Sequence, residues 1–232
     1  RGLPIVQLPT TLLAMVDAAL GGKTAIDHPR GKNLIGAFHP PIALGAWPGF
    51  LRTLPARERR SAAAEVIKTA MVGDPGLLGQ IGAPGAETEV IARCLRVKSR
   101  VVERDPFDRA ERLWLNAGHT VGHAIERAAG FGAWTHGEAV AVGLVAEARF
   151  AVRAGVCADP DLPGALASAL AAAGLPTAVP ELDRSALVAA AGLDKKGRSD
   201  TIRLPLPVRM GEMTVVELPR HELSALFAGS ER

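Results

Sequence analysis

The densest alternation of polar and apolar positions runs from Leu113 to Glu138, LWLNAGHTVGHAIERAAGFGAWTHGE. On a helix turning roughly 100° per residue, Arg112, Asn116, His119, His123 and Glu126 fall within about 80° of one another. They make one polar stripe, and Leu113, Trp114, Ala117, Val121, Ala124 and Ile125 make the apolar face behind it. A face meant for water would carry flexible Lys and Glu. This one carries a guanidinium, an amide and imidazoles, groups that grip a ligand. Gly118 and Gly122 each cost about 1 kcal/mol of helix propensity relative to Ala, which predicts close approach by another element or a ligand. Gly130 and Gly132 then end the helix, and His136 opens a second apolar helix beginning HGEAVAVGLVAEARF. A helix pair joined by a short glycine turn brings His119 and His136 together.

The N-terminal portion has a different period. Pro4 to Leu8 reads as a short buried strand, and Pro9, Thr10 and Thr11 supply a turn and an N-cap for a helix from Leu12 to Leu20. A strand leading into a helix N-terminus is a natural anion seat. Lys23 to Asp27 and Asn33 to Phe38 form the arms of a hairpin turning at HPRG, which is expected to hold Lys23, Lys32 and Asn33 close together. A strand from Ile42 to Trp47 closes this α/β portion, and Leu51 to Pro55 reads as a linker.

From Ala56 onward the period is helical. Residues 57–73 form an Ala-rich helix with Glu65 and Lys68 on one face. An exposed ion pair is one reading, but Glu65 lies inside the apolar run AAAEVIKTAM, where a carboxylate calls for a cation. A glycine-rich loop leads to a helix from Glu87 to Glu103, with Lys98 pointing toward the central segment. Helices at 162–173 and 184–191, a loop carrying Asp194, Lys195 and Lys196, a hairpin of TIRLPLP and MTVVELP, and a helix at 220–228 complete the chain. The predicted class is α+β and mainly α-helical, with an α/β portion over 1–55 and a helical domain over 56–232.

Composition narrows the function. With 48% hydrophobic and 22% charged residues the chain is of ordinary globular type, and it has neither an apolar run long enough for a bilayer nor a secretory leader. The default location is therefore cytoplasmic. Two cysteines without a CxxC agree with a reducing compartment. The net charge of +3 comes from scattered arginines, without the basic stripe and interleaved aromatics of a nucleic-acid surface. An anionic small molecule suits it better. The chain starts at Arg1 and runs straight into a strand-like segment, as a piece of something longer would.

Glu65, His119 and His136 supply a carboxylate and two imidazoles, the count of a catalytic zinc site with a fourth position for water or substrate. The spacing alone leaves His119 with His123, at i and i+4, as another chelating pair. The Glu that follows the first His in HExxH proteases is absent. The cationic side chains at 23, 68, 98, 112 and 195 or 196 suit a phosphate or carboxylate substrate.

The segments LPTTLLAMVDAALGGKTAIDHPRGKNLIGAF, AEVIK, LNAGHTVGHAIE and THGEAVAVG, in this order, resemble the 3-dehydroquinate synthase family of sugar-phosphate cyclases. The resemblance runs from Arg1 to the final hairpin. It implies conversion of 3-deoxy-arabino-heptulosonate 7-phosphate into 3-dehydroquinate and phosphate, in the shikimate pathway, with NAD and a divalent metal, Zn or Co. It implies Glu65, His119 and His136 as metal ligands. Lys23, Lys68, Lys98, Arg112, Asn116 and His123 become catalytic contacts, with Arg1, Asn33 and Lys195 or Lys196 as further substrate contacts. Thr10, Thr11, Asp17, Lys23 and Lys32 fall where the family touches NAD, and full-length members are homodimers.

Three departures stand out. Ala18 and Ala19 replace a Ser pair, Thr69 stands where an aromatic or His is common, and DPFDRAER replaces an acidic run with a Gly before the Arg. The last, with Pro106, is expected to shift the loop leading to Arg112. The family's glycine-rich nucleotide turn is not in this chain, so metal binding without turnover is expected of residues 1–232 alone, with an apolar surface left around Leu3 to Leu8 and Leu12 to Leu20. Two alternatives remain: a sister cyclase of deoxy-inosose or valiolone synthase type, and a non-catalytic metal- or anion-binding remnant.

Overall fold

The structure is a computed structural model that describes residues 2–228 apart from 29–30, 131 and 194–199, with backbone alone at 27–28, 31–34 and 193. Arg1, Lys195 and Lys196 lie outside the described residues, and Lys32 and Asn33 are placed only by their strand.

The helical part holds α1 (Ala56–Gly73), α2 (Glu87–Arg104), α3 (His119–Ala129), α4 (His136–Arg153), α5 (Leu162–Ala172) and α6 (Arg184–Leu193). α4 is the hub, packing on α3, α1 and α5. Its sequence explains why: from Gly137 to Ala151 nearly every residue is buried and, Glu147 apart, the buried ones are apolar, as in a helix enclosed by others. A hairpin of β5 (Thr201–Arg209) and β6 (Glu212–Pro219) closes against α4 and α1, followed by a 3-10 segment, Arg220–Phe227. Among the described residues no helix is long and apolar enough to cross a membrane.

The N-terminal part forms β1 (Val6–Gln7), parallel to β4 (Ala43–Leu44), and an antiparallel hairpin of β2 (Lys23–His28) and β3 (Gly31–Phe38). β1 and β4 are shorter than the sequence suggests. Thr11 does cap the following turn, its Oγ1 accepting from the Ala14 amide at 3.2 Å, but Ala14–Ala18 is wound as a π-helix.

Four expectations need correction. The stretch from Leu113 is not one helix: a 3-10 segment, Glu111–Asn116, stops before α3 begins, with Gly118 at φ +78° between them. Leu51 to Pro55 is not a free linker, because Pro48–Thr53 is a 3-10 turn whose Leu51 is buried with Val66, Leu77 and Val90. Met15 and Val16 join the same core, so the segment from Leu12 to Leu20 is largely covered, whereas Leu3, Val6 and Leu8 are exposed: the strand read as buried is not, and only the uncovered apolar surface expected there is found. Finally, the hairpin register sets Lys23 opposite Phe38, and Asn33 is five residues, about 16 Å of strand, back along β3. The hairpin does not gather Lys23 with Lys32 and Asn33.

Candidate metal and anion site

Glu65 projects from α1 into the angle between α3 and α4. The approach is set by glycine: a Cβ on Gly137 would run into the backbone carbonyl of Ser61, and the Gly137 amide donates to Ser61 Oγ at 3.1 Å. Ser61 and Glu65 are one turn apart on α1, so this contact carries Glu65 to His136, the first residue of α4. His136 Nε2 stands 3.4 Å from Glu65 Oε1. Thr135 and Glu138 complete a capping box that starts α4 at this point, with Arg57 paired to Glu138 at 2.8 Å.

α3 meets α4 through a second glycine contact. A Cβ on Gly143 would overlap the Gly118 carbonyl, and one on Gly122 would lie 3.2 Å from the Ala139 backbone. The cost in helix propensity read from Gly118 and Gly122 is therefore a packing requirement. His119 opens α3 with Nδ1 donating to the Ala117 carbonyl at 3.0 Å, which leaves Nε2 toward Glu65 Oε1 at 3.7 Å. The rings of His119 and His136 have centroids 5.1 Å apart. Glu65, His119 and His136 each offer a donor atom, all within 4.8 Å of one another. His123, Glu126 and His136 meet the same distance test, but Glu126 lies 3.6 Å from His136 Nδ1, the position of a carboxylate that orients an imidazole through its other nitrogen.

The electrostatics are those of a buried network. Glu65 and Lys68 are each 1% exposed and form an ion pair, so the exposed-pair reading is overturned. Even so, both Glu65 oxygens lack a hydrogen bond of good geometry. Asp17 sits 2.7 Å from Lys98 Nζ and 4.0 Å from Lys68 Nζ. Burial alone would raise the Glu65 carboxyl, but Lys68, His136 and His119 together hold it well below the usual range. Burial, with Lys68 nearby, pushes His119 down to about 4. For His136 burial is outweighed by Glu126 and Glu65, which lift it to about 9. The Lys68 ammonium stays charged because Asp17 and Glu65 outweigh its desolvation, while burial lowers Lys98 despite Asp17.

His123 is beside the cluster, its ring 5.3 Å from that of His119. Arg112 is buried but takes another direction: it donates to the Pro106 carbonyl at 2.6 Å and to the Gly21 carbonyl. The break before α3 removes the single-helix argument that set Arg112 and Asn116 on the face of His123. Asn116 ends the 3-10 segment two residues before Gly118. Lys23 is 2.5 Å from Asp108 and half exposed. Thr10 and Thr11 are exposed, and Asp17 faces Lys68 and Lys98.

Sequence reasoning assigned no role to Asp105, whose carboxylate accepts from the amides of Arg109, Ala110 and Arg112 at 2.9, 2.6 and 3.1 Å. It ties down the loop around Pro106. The Thr135-x-x-Glu138 spacing was a readable signal for the capping box; Asp105 gave none.

The profile of 3-dehydroquinate synthase C-terminal domains matches residues 62–197, and that of 3-dehydroquinate synthase N-terminal domains matches residues 1–61. The chain belongs to the 3-dehydroquinate synthase family. A 3-dehydroquinate synthase of Xanthomonas campestris pv. campestris is 47% identical over 93% of this chain and 62% of its own length. Curated relatives in the family are covered over 61 to 65% of their length. The fold resembles 2-epi-5-epi-valiolone synthase of Streptomyces hygroscopicus subsp. jinggangensis, solved with NAD⁺ and Zn²⁺, at 28% identity and a TM-score of 0.84 over 98% of this chain and 66% of that one. It also resembles 2-deoxy-scyllo-inosose synthase complexed with carbaglucose-6-phosphate, NAD⁺ and Co²⁺, at 25% identity and a TM-score of 0.86 over 98% of this chain and 67% of that one. The α+β, mainly helical class is that of these sugar-phosphate cyclases.

Proposed function

We propose that this chain carries the metal- and substrate-binding part of a 3-dehydroquinate synthase that converts 3-deoxy-arabino-heptulosonate 7-phosphate into 3-dehydroquinate and phosphate. The observation that carries the reading is Glu65, a buried carboxylate without good hydrogen bonds, facing two imidazoles. A buried anion costs several kcal/mol unless cations face it; Lys68 faces Glu65 Oε2 and His136 faces Oε1, and a divalent ion would take the place of the His136 proton.

In this reading Glu65, His119 and His136 hold a divalent ion, Zn²⁺ or Co²⁺ as in the solved relatives, and Glu126 orients His136. When bound, the metal supplies a Lewis acid for the substrate hydroxyl, and NAD supplies a reversible hydride acceptor. Lys68 is held charged between Asp17 and Glu65, so it presents a fixed cation beside the donor cluster. Lys98, desolvated and tethered to Asp17, is the cation most able to release a proton there. His123 stands within reach of the same space as a hydrogen-bonding partner for substrate. Lys23, Asn33, Asn116, Arg112, Arg1 and Lys195 or Lys196 are assigned to the phosphate and carboxylate of the substrate, and Thr10, Thr11, Asp17 and Lys32 to NAD. Residues 1–55 then belong with the nucleotide-binding domain and 56–232 with the metal and substrate domain.

Since the chain spans 61 to 65% of its relatives' length, the assay uses the chain completed with the remaining N-terminal part of a curated relative. NAD- and metal-dependent phosphate release from the heptulosonate phosphate is expected. Release from glucose 6-phosphate or another sugar phosphate instead would move the assignment to a sister cyclase. Zinc binding without release from any of them would leave a metal-binding remnant.

A further inference from the structure

α3 starts without a cap of its own. Its N-cap residue is Gly118, which has no side chain to accept from the first-turn amides. Two of the amides at this end nevertheless have a partner from another helix. Glu147, more than two turns along α4 from His136 and 1% exposed, accepts from the Gly118 amide at 2.6 Å and from the Val121 amide at 3.3 Å. A carboxylate at a helix N-terminus is favoured by the helix dipole as well as by the hydrogen bonds. His119 and Thr120 lie between the two capped amides, so the cap fixes the turn that opens with His119.

We propose that Glu147 is a positioning residue, a cap supplied by a neighbouring helix that fixes the first turn of α3 and so aims His119 Nε2 at Glu65. The inference deepens the metal reading given above and rests on it for its first readout. Three constraints converge on His119. Gly143 allows α4 to touch the Gly118 carbonyl, Glu147 binds the amides on either side, and the Ala117 carbonyl takes the Nδ1 proton at 3.0 Å. Only the second is carried by a side chain that substitution can remove without moving a glycine. Glu147 touches neither substrate nor metal in this scheme; it acts through His119. Nothing in the polar stripe of the sequence points to it, because it lies on the buried face of an otherwise apolar helix.

Glu147→Gln keeps one acceptor and turns the other into a donor facing an amide, and Glu147→Ala removes both. Leu166→Ala, at a fully buried position of α5, controls for general loss of stability. Zinc affinity is measured by chelator competition at a temperature where circular dichroism shows each variant folded. Glu147→Ala is expected to bind zinc about tenfold more weakly or worse, Glu147→Gln less so, and Leu166→Ala like the parent. A second readout needs no metal: the ¹⁵N spectrum of the His119 ring should report the Nδ1–H tautomer in the parent and a mixture of tautomers in Glu147→Ala. If Glu147→Ala does not fold, the Gln variant carries both measurements. A parent that binds no zinc sinks the metal reading, and the tautomer comparison then decides the role of Glu147 by itself. Unchanged affinity and an unchanged His119 tautomer in the folded variants overturn the proposal.

Discussion

Where α1, α3 and α4 meet, charged groups lie inside and glycine contacts hold the backbones together; at the hairpin and the β1 and β4 pair, isoleucines and leucines face outward beside exposed charges. Leu3 is 83% and Ile42 71% exposed, while Glu65 and Lys68 are each 1% exposed. Burying an ion pair is expensive, so the helix junction holds its polar groups at a cost that only a fixed geometry or a bound cation offsets. The outward apolar residues cost little within one molecule but favour contact between molecules. Rigidity in one place and adhesiveness in the other are the separate consequences of the two arrangements.

The sharpest way to break the contrast is to remove one donor. His119→Ala should lower zinc affinity by about a hundredfold or more, because one ligand in three is lost, whereas His123→Ala should cost less than about tenfold. Chelator competition and metal content per chain read both. Equal losses would transfer the site to the i, i+4 pair. Next in size is Gly143→Ala. The added methyl overlaps the Gly118 carbonyl and should destabilise by about 3 kcal/mol while weakening zinc binding through the same displacement. Gly164→Ala in α5 meets nothing within 4 Å and should stabilise by about 0.5–1 kcal/mol through helix propensity. Denaturant titration of the pair tests whether close backbone approach is confined to the site.

The separation into these regions was partly legible beforehand. Histidines at i and i+4 and a carboxylate in AAAEVIK are local patterns, and helix periodicity carried them to one junction. The α1 and α2 spans agree with the expected helices to within about one residue and α4 opens at the expected His136, since long apolar periods fix them. The break at Gly118 was not legible as a break: a glycine in a helical period reads as a tolerated cost, and only the contact with Gly143, on another helix, shows that the chain must turn there. Glu147 and Asp105 act across 29 and up to 7 residues respectively through backbone amides, and no side-chain pattern announces that. The hairpin register also depends on pairing, which composition does not set.

A smaller effect concerns protons. His136 is held near 9 in the metal-free chain by Glu126 and Glu65 against its burial, so at pH 7 it is protonated, and a metal must displace that proton. Zinc uptake at pH 7 should release about one proton, read by calorimetry in buffers of different ionisation enthalpy. The sign for stability follows from a raised folded value. The contribution of His136 to the metal-free fold is fully present below its unfolded value of about 6.5 and is lost as the pH rises through about 9. Zinc-loaded protein should show no such loss over that range. A flat metal-free profile between pH 6.5 and 9 would mean that Glu126 and Glu65 do not hold the imidazolium.

The smallest change in folding free energy is expected at the hairpin. Ile26 and Ile35 are cross-strand partners and both more than half exposed, and a two-stranded ribbon has no second layer to cover them. Replacing both by Thr keeps β-branching and removes apolar area that is already in water, so the melting free energy should move by less than about 0.5 kcal/mol. Zinc affinity should not change, because neither residue belongs to the donor cluster. Self-association is where the substitution should register: sedimentation velocity of the parent should show concentration-dependent larger species, reduced in the double variant. Lys23→Ala belongs to the same class, since its pair with Asp108 is half exposed and such pairs contribute about 0.2–1 kcal/mol. A loss above about 2 kcal/mol in either variant would mean that the hairpin is part of the folded core after all, and the contrast between the two regions would fail at its weaker end.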